Sequence, residues 1–121
     1  MFDSKTILIA DGSIYAALDL AQSIEANEGC VAGTVSLISE ALTIVDSCEI
    51  AGAIVDCELP QASVLILRLA EVGVPVVIQT SVPLPLGLGD LEHRLPVLMR
   101  PIDPRTVINT LVDEIGTTPK R

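Results

Sequence analysis

KTILIADGSIYAALDLAQSIEANEGCVAGTV, residues 5–35, reads as strand, helix and strand in succession. Residues 5–10 are an apolar run of strand length. Ile14, Ala17, Leu18, Ala21 and Ile24 then recur at the i, i+3, i+4, i+7 spacing of one helix face. Asn27, Glu28 and Gly29 close that helix, and residues 30–35 form a second strand. Apolar runs alternating with helix-period segments are the pattern of a parallel sheet covered by helices on both faces.

The alternation continues along the chain. Ser36 is placed to cap a second helix, whose inward face is Ile38, Ala41, Leu42 and Val45. Residues 52–55 (GAIV) make a third strand, and residues 61–72 a third helix ending at Gly73. Residues 74–79 make a fourth strand that tolerates Pro75 at its beginning. Pro and Gly are so dense over residues 82–89 that a fourth helix is short or irregular, confined to residues 90–95. Residues 96–99 form a fifth strand. Asp103 as N-cap and Pro104 as first helical residue open the last helix, which runs to about Gly116. The expectation is one domain over residues 1–121, with its core in 5–115, a frayed tail at 116–121 and no output domain.

Composition removes several function classes. Seven Lys plus Arg against sixteen Asp plus Glu give a net charge of −9, and no basic stripe exists to hold a nucleic acid or an anionic membrane. Phe2 and Tyr15 are the only aromatic residues, so sites built from stacked rings are not expected. Cys30, Cys48 and Cys57 are an odd set without a C-x-x-C pair; they read as buried small hydrophobes in a reducing cytoplasm, although Cys57 beside Asp56 also reads as a reactive thiol. The single histidine, His93, reads as a surface residue and cannot build a zinc site. The charge-free window 72–89 is nominally long enough to span a membrane. Pro75, Pro83, Pro85 and three glycines break it, so it reads as a buried strand followed by an irregular loop.

In open parallel sheets ligands gather at the carboxyl ends of the strands. The first strand ends in Asp11, the third in Asp56, the fourth in Thr80 with Ser81, and the fifth in Arg100. Two carboxylates, a hydroxyl and a fixed cation on one edge suit a site that receives a phosphoryl group. A carboxylate accepts it, while the hydroxyl and cation bind its oxygens. Each residue also has a plain structural reading: Asp56 as a loop cap, Asp11–Gly12 as a turn, Thr80 as a β-branched strand end, Arg100 as a partner for Asp103 or Glu58.

ILIADGS, AIVDCELP, VPVVIQTS and PVLMRPID, in that order and spacing, resemble the receiver domain of bacterial response regulators, the chemotaxis-regulator-like fold. The resemblance spans residues 5–115 and implies strand order 2-1-3-4-5. It implies that Asp56 is the phosphoacceptor, Thr80 the switch hydroxyl, Arg100 the occupant of the lysine position and Asp11 the first member of the acidic pair that holds Mg²⁺. The partner implied is a histidine kinase or phosphotransfer protein, and the only chemistry is self-phosphorylation and dephosphorylation at Asp56.

The departures from that pattern shape the expectations. Gly12 stands where the second acidic residue belongs, so Asp11 and Asp56, with Glu58 as a further carboxylate, would hold Mg²⁺ weakly or not at all. Arg100 favours a bidentate carboxylate pair over the point contact of a lysine. At about 4 Å and an effective dielectric near 20 such a pair gains roughly 4 kcal/mol before desolvation. Val97 replaces the aromatic switch residue. Two functions compete: a stand-alone response regulator in a phosphorelay, and a phosphorylation-independent pseudo-receiver that binds partners or a second copy through VPLPLGLGDL, residues 82–91. A haloacid-dehalogenase-type phosphatase with Asp11 as nucleophile fits poorly, because its second acid would be Ser13.

Overall fold

The computed structural model describes residues 1–82 and 95–117. In chain order these form β1 (Thr6–Ala10), α1 (Ile14–Ala26), β2 (Cys30–Val35), α2 (Ile38–Ser47), β3 (Gly52–Asp56), α3 (Ala62–Glu71), β4 (Val76–Thr80), β5 (Val97–Met99) and α4 (Pro104–Thr117). All strand pairings are parallel, and the sheet order is β2-β1-β3-β4-β5, as the sequence implies. Residues 90–94 of the expected short helix at 90–95 and the tail beyond residue 117 lie outside the described residues, as does His93.

Strand alternation divides the apolar residues into two layers, because successive side chains point to opposite faces. Ile7, Ile9, Ile54 and Val77 pack with Ala17, Leu20, Ala21 and Ile24 of α1 and with Val107, Ile108 and Leu111 of α4. Leu8, Ala10, Ala53, Val55, Val76 and Ile78 pack on the other face with Ile38 and Ala41 of α2 and Leu65, Ile66 and Leu69 of α3. The central strands β3 and β4 are buried along their whole length, which is why residues 52–55 and 76–78 read as unbroken apolar runs. Phe2, the only phenylalanine, is buried in the α1–α4 layer.

Local signals set the element ends. Ser13 caps α1, its hydroxyl accepting from the Ala16 N–H at 3.3 Å. At the end of α3, Gly73 takes φ 76°. Its N–H reaches the Ala70 carbonyl while the Val74 N–H reaches that of Leu69, the pair of bonds of a Schellman cap. Asp103 caps α4 as expected, its Oδ1 accepting from the Arg105 N–H at 2.8 Å.

Three expectations need correction. The buried stripe of α1 is Ala17, Leu20, Ala21 and Ile24, whereas Ile14 and Leu18 are exposed. Both stripes satisfy the same period, and packing against the sheet and α4 selects the phase. Ser36 does not cap α2; the cap position is Leu37, which makes no side-chain bond, because the helix begins one residue later. Of the cysteines only Cys57 is buried; Cys30, at the start of the edge strand β2, and Cys48, at the end of α2, are exposed.

Candidate functional site

The register brings the expected residues together. Ala10 pairs with Val55, Asp56 with Gln79, and Thr80 with Met99, so Asp11, Asp56, Thr80 and Arg100 emerge side by side at the carboxyl edge of β1, β3, β4 and β5. Asp11 and Asp56 are buried, at 3% and 5% exposure. Backbone amides of the neighbouring turns satisfy them. The Ser13 N–H donates to Asp11 Oδ1 at 2.8 Å, the Glu58 N–H to Asp56 Oδ1 at 3.0 Å, and the Gly12 N–H to Asp56 Oδ2 at 3.2 Å.

Arg100 holds the centre of the cluster. Its Nη2 lies 3.0 Å from Asp11 Oδ2, and its Nη1 lies 3.4 Å from Asp56 Oδ2 and 3.7 Å from Glu58 Oε2. The same Nη2 donates to Gln79 Oε1 at 3.0 Å. The Arg100 N–H bonds the Thr80 carbonyl at 2.8 Å, and the Arg100–Pro101 peptide is cis. Glu58 is tied in turn by the Ser81 N–H, 2.9 Å from its Oε2. Arg100 therefore meets Glu58 as well as the two buried aspartates, while Asp103 pairs with Arg105 instead.

Burial pushes the Asp11 carboxyl above its ordinary value; the Ser13 N–H and the Arg100 charge pull the other way, and the Asp56 charge adds to the rise. Burial likewise pushes the Cys57 thiol up, partly offset by the Thr80 hydroxyl, so this cysteine is held as a thiol and not as a reactive thiolate. The Thr80 hydroxyl is turned onto its own loop, donating to the Val82 carbonyl and accepting from the Val82 N–H at 3.1 Å. Val97, in the aromatic switch position, is half-buried against the α2–α3 layer.

Gln79 was not anticipated as a site residue. The available signal was one amide inside the apolar strand VVIQT. A buried amide needs a partner, and here that partner is Arg100.

Mg²⁺ demands near-octahedral oxygens at about 2.0–2.1 Å. Asp11, Asp56 and Glu58 do converge, but each turns an oxygen to the Arg100 guanidinium, and among the described residues no group of three acidic, His or Cys side chains is arranged to hold a metal. The donor set as it stands fits a guanidinium and not a magnesium ion. A side chain at position 12 would start beside this cluster: a Cβ on Gly12 would lie 3.5 Å from Asp56 Oδ2 and 3.3 Å from the Leu59 side chain.

The fold has close counterparts among solved structures. A CheY-like response regulator receiver domain protein from Methanospirillum hungatei JF-1 superposes with TM-score 0.81 at 19% identity, over 94% of this chain and 95% of that one. The PhyR response regulator REC domain of Erythrobacter litoralis gives 0.82 at 20% identity, over 98% and 95%. This is the receiver-domain fold. A sensor protein from Polaromonas sp. JS666 has it too, with TM-score 0.77 at 23% identity over 95% and 98% of the two chains. No family profile and no curated protein matches the sequence. Among the described residues of this receiver fold, no helix is long and apolar enough to cross a membrane.

Proposed function

We propose that this chain is a receiver module of two-component phosphorelay signalling, in which Asp56 accepts a phosphoryl group from a histidine kinase or phosphotransfer protein. The observation that carries the reading is Asp56 at the carboxyl end of β3, with Asp11 beside it and Arg100 Nη1 3.4 Å from its Oδ2. An Asp56 carboxylate oxygen attacks phosphorus and forms the O–P bond. The donor's P–N or P–O bond breaks, and its electron pair leaves on the imidazole nitrogen or on acetate. Arg100 is within reach of the incoming oxygens and would spread their charge across its fork. Thr80 joins them only by giving up Val82, so phosphorylation would be coupled to the loop that begins at Ser81. Ile14, Tyr15 and Leu18 offer the partner an exposed apolar face on the helix that leaves the site. The reading implies work in the cytoplasm and no turnover beyond transfer to, and hydrolysis from, Asp56.

The second reading, a pseudo-receiver acting by binding alone, is favoured by one specific feature. The carboxylates are already neutralised in part by Arg100, and the Thr80 hydroxyl is already occupied. The two readings separate by intact mass after incubation with acetyl phosphate, with and without Mg²⁺. An adduct lost in Asp56→Asn supports the phosphoacceptor; no adduct with acetyl phosphate or with any histidine-phosphorylated donor supports the pseudo-receiver. The surface expected at residues 82–91 lies outside the described residues apart from Val82, which is exposed.

A further inference from the structure

Magnesium is the cation expected among the acids of a receiver site, and in this chain a side chain stands among them. Arg100 reaches Asp11, Asp56 and Glu58 with one guanidinium, at 3.0, 3.4 and 3.7 Å. Its fork is divided between them, Nη2 serving Asp11 and Nη1 the other two. The guanidinium is also anchored from behind. Gln79 Oε1 accepts from Nη2 at 3.0 Å, and the Arg100 backbone N–H is bound to the Thr80 carbonyl at the end of β4. Three quarters of the Arg100 side chain is buried, since its exposure is 25%. To admit a metal, the site would have to surrender these bonds together and leave the Gln79 amide unpartnered in the sheet.

We propose that Arg100 is the resident cation of this acidic cluster and keeps Mg²⁺ out of it. A tethered cation has a high effective concentration at the cluster and cannot be diluted away, so free Mg²⁺ competes at a disadvantage. The missing acid at Gly12 fits the same scheme. Asp11, Asp56 and Glu58 already bring three carboxylates to one guanidinium charge, and a fourth beside Asp56 would only add to that excess of negative charge. The proposal concerns which cation the cluster holds and stands whether or not Asp56 is ever phosphorylated.

The test is Mg²⁺ titration of the whole chain by calorimetry, with thermal melting in parallel, on the wild type and on Arg100→Ala and Arg100→Gln. The wild type is expected to give no saturable heat up to millimolar Mg²⁺ and an unchanged melting temperature. Both variants are expected to melt lower without metal, to regain stability as Mg²⁺ is added, and to bind it at least about tenfold more tightly than the wild type. Adding Asp56→Asn to either variant should remove the gain. Saturable wild-type binding as tight as that of the variants would overturn the proposal, and so would variants that gain no affinity. If Arg100→Ala fails to fold in the absence of metal, Arg100→Gln, which keeps an amide to meet Gln79, decides the matter. The adduct mass at Asp56 is a separate readout, so failure of the phosphoacceptor reading leaves this result standing.

Discussion

Arg100 and Asp11 are 89 residues apart in the chain and 3.0 Å apart in the fold, joined across β1, β3, β4 and β5 by an ion pair whose acidic end is buried. The pair ties the first strand to the last. Removing Arg100 would leave two buried carboxylates facing each other with only backbone amides for company. Breaking a buried pair by deleting one partner costs about 3–5 kcal/mol, and the part-exposed Arg100 belongs at or below the low end of that range. Arg100→Ala should therefore lower unfolding stability by about 2–3 kcal/mol without divalent metal, seen as a lower urea midpoint with the slope unchanged.

Restoring an acid at position 12 should not by itself create a magnesium site. The Cβ of Gly12→Asp has room if Leu59 yields by a few tenths of an ångström, since its nearest contact is the Leu59 side chain at 3.3 Å. The new carboxylate, however, would meet Asp56 while Arg100 still fills the centre. Calorimetry should find Mg²⁺ binding no tighter in Gly12→Asp alone than in the wild type and tighter in the double variant Gly12→Asp, Arg100→Ala than in Arg100→Ala, with a lower melting temperature in Gly12→Asp alone.

The raised Asp11 carboxyl makes a pH prediction whose sign is opposite to that of most aspartates. A group whose folded value lies above its ordinary 3.8 adds its full stability below 3.8 and loses it as pH rises through the folded value. The stability of the wild type relative to Asp11→Asn should thus be greatest in acid, decline as pH climbs through the raised value and level off above it. Asp103, held below its ordinary value by Arg105, works in the other direction, contributing above 3.8 and losing that contribution as pH falls. Urea titrations of wild type, Asp11→Asn and Asp103→Asn over a pH series would separate the two slopes.

Ser13 joins the α1 cap to the site, its hydroxyl serving Ala16 and its backbone N–H serving Asp11. Ser13→Ala deletes only the first of these. It should cost about 1 kcal/mol of stability, the usual worth of an N-cap, and leave the acidic cluster unaltered. Denaturant unfolding measures the cost, and an adduct yield equal to that of the wild type would confirm the intact cluster.

Cys30 and Cys48 are exposed and Cys57 is buried, with its thiol pushed up. A thiol reagent applied to native protein should modify two cysteines quickly and the third only on unfolding. Peptide mapping should identify the slow site as Cys57.

The fold was legible because its signals are local. Periodicity of about 3.6 marked the helices, apolar runs of strand length marked β1, β3 and β4, and Gly73, Asp103 and Pro104 marked element ends through backbone conformations and caps that involve near neighbours only. The polar residue ending each strand was legible for the same reason, and a parallel sheet carries those ends to one edge whatever the side chains do there. The phase of α1 was not legible, since Leu18 and Leu20 satisfy one period equally well and only packing of α1 against the sheet and α4 distinguishes them.

Sequence by itself thus determined the parallel sheet, its single chemical edge and the set of residues standing on it: Asp11, Asp56, Glu58, Thr80 and Arg100. Tertiary structure decided what those residues do to one another. Arg100 faces the carboxylates and Gln79, the Thr80 hydroxyl faces Val82, and Glu58 is fastened to Ser81. Periodicity is a property of neighbours along the chain. A guanidinium's choice among competing acceptors is a property of register, burial and distance between segments that the chain itself keeps far apart.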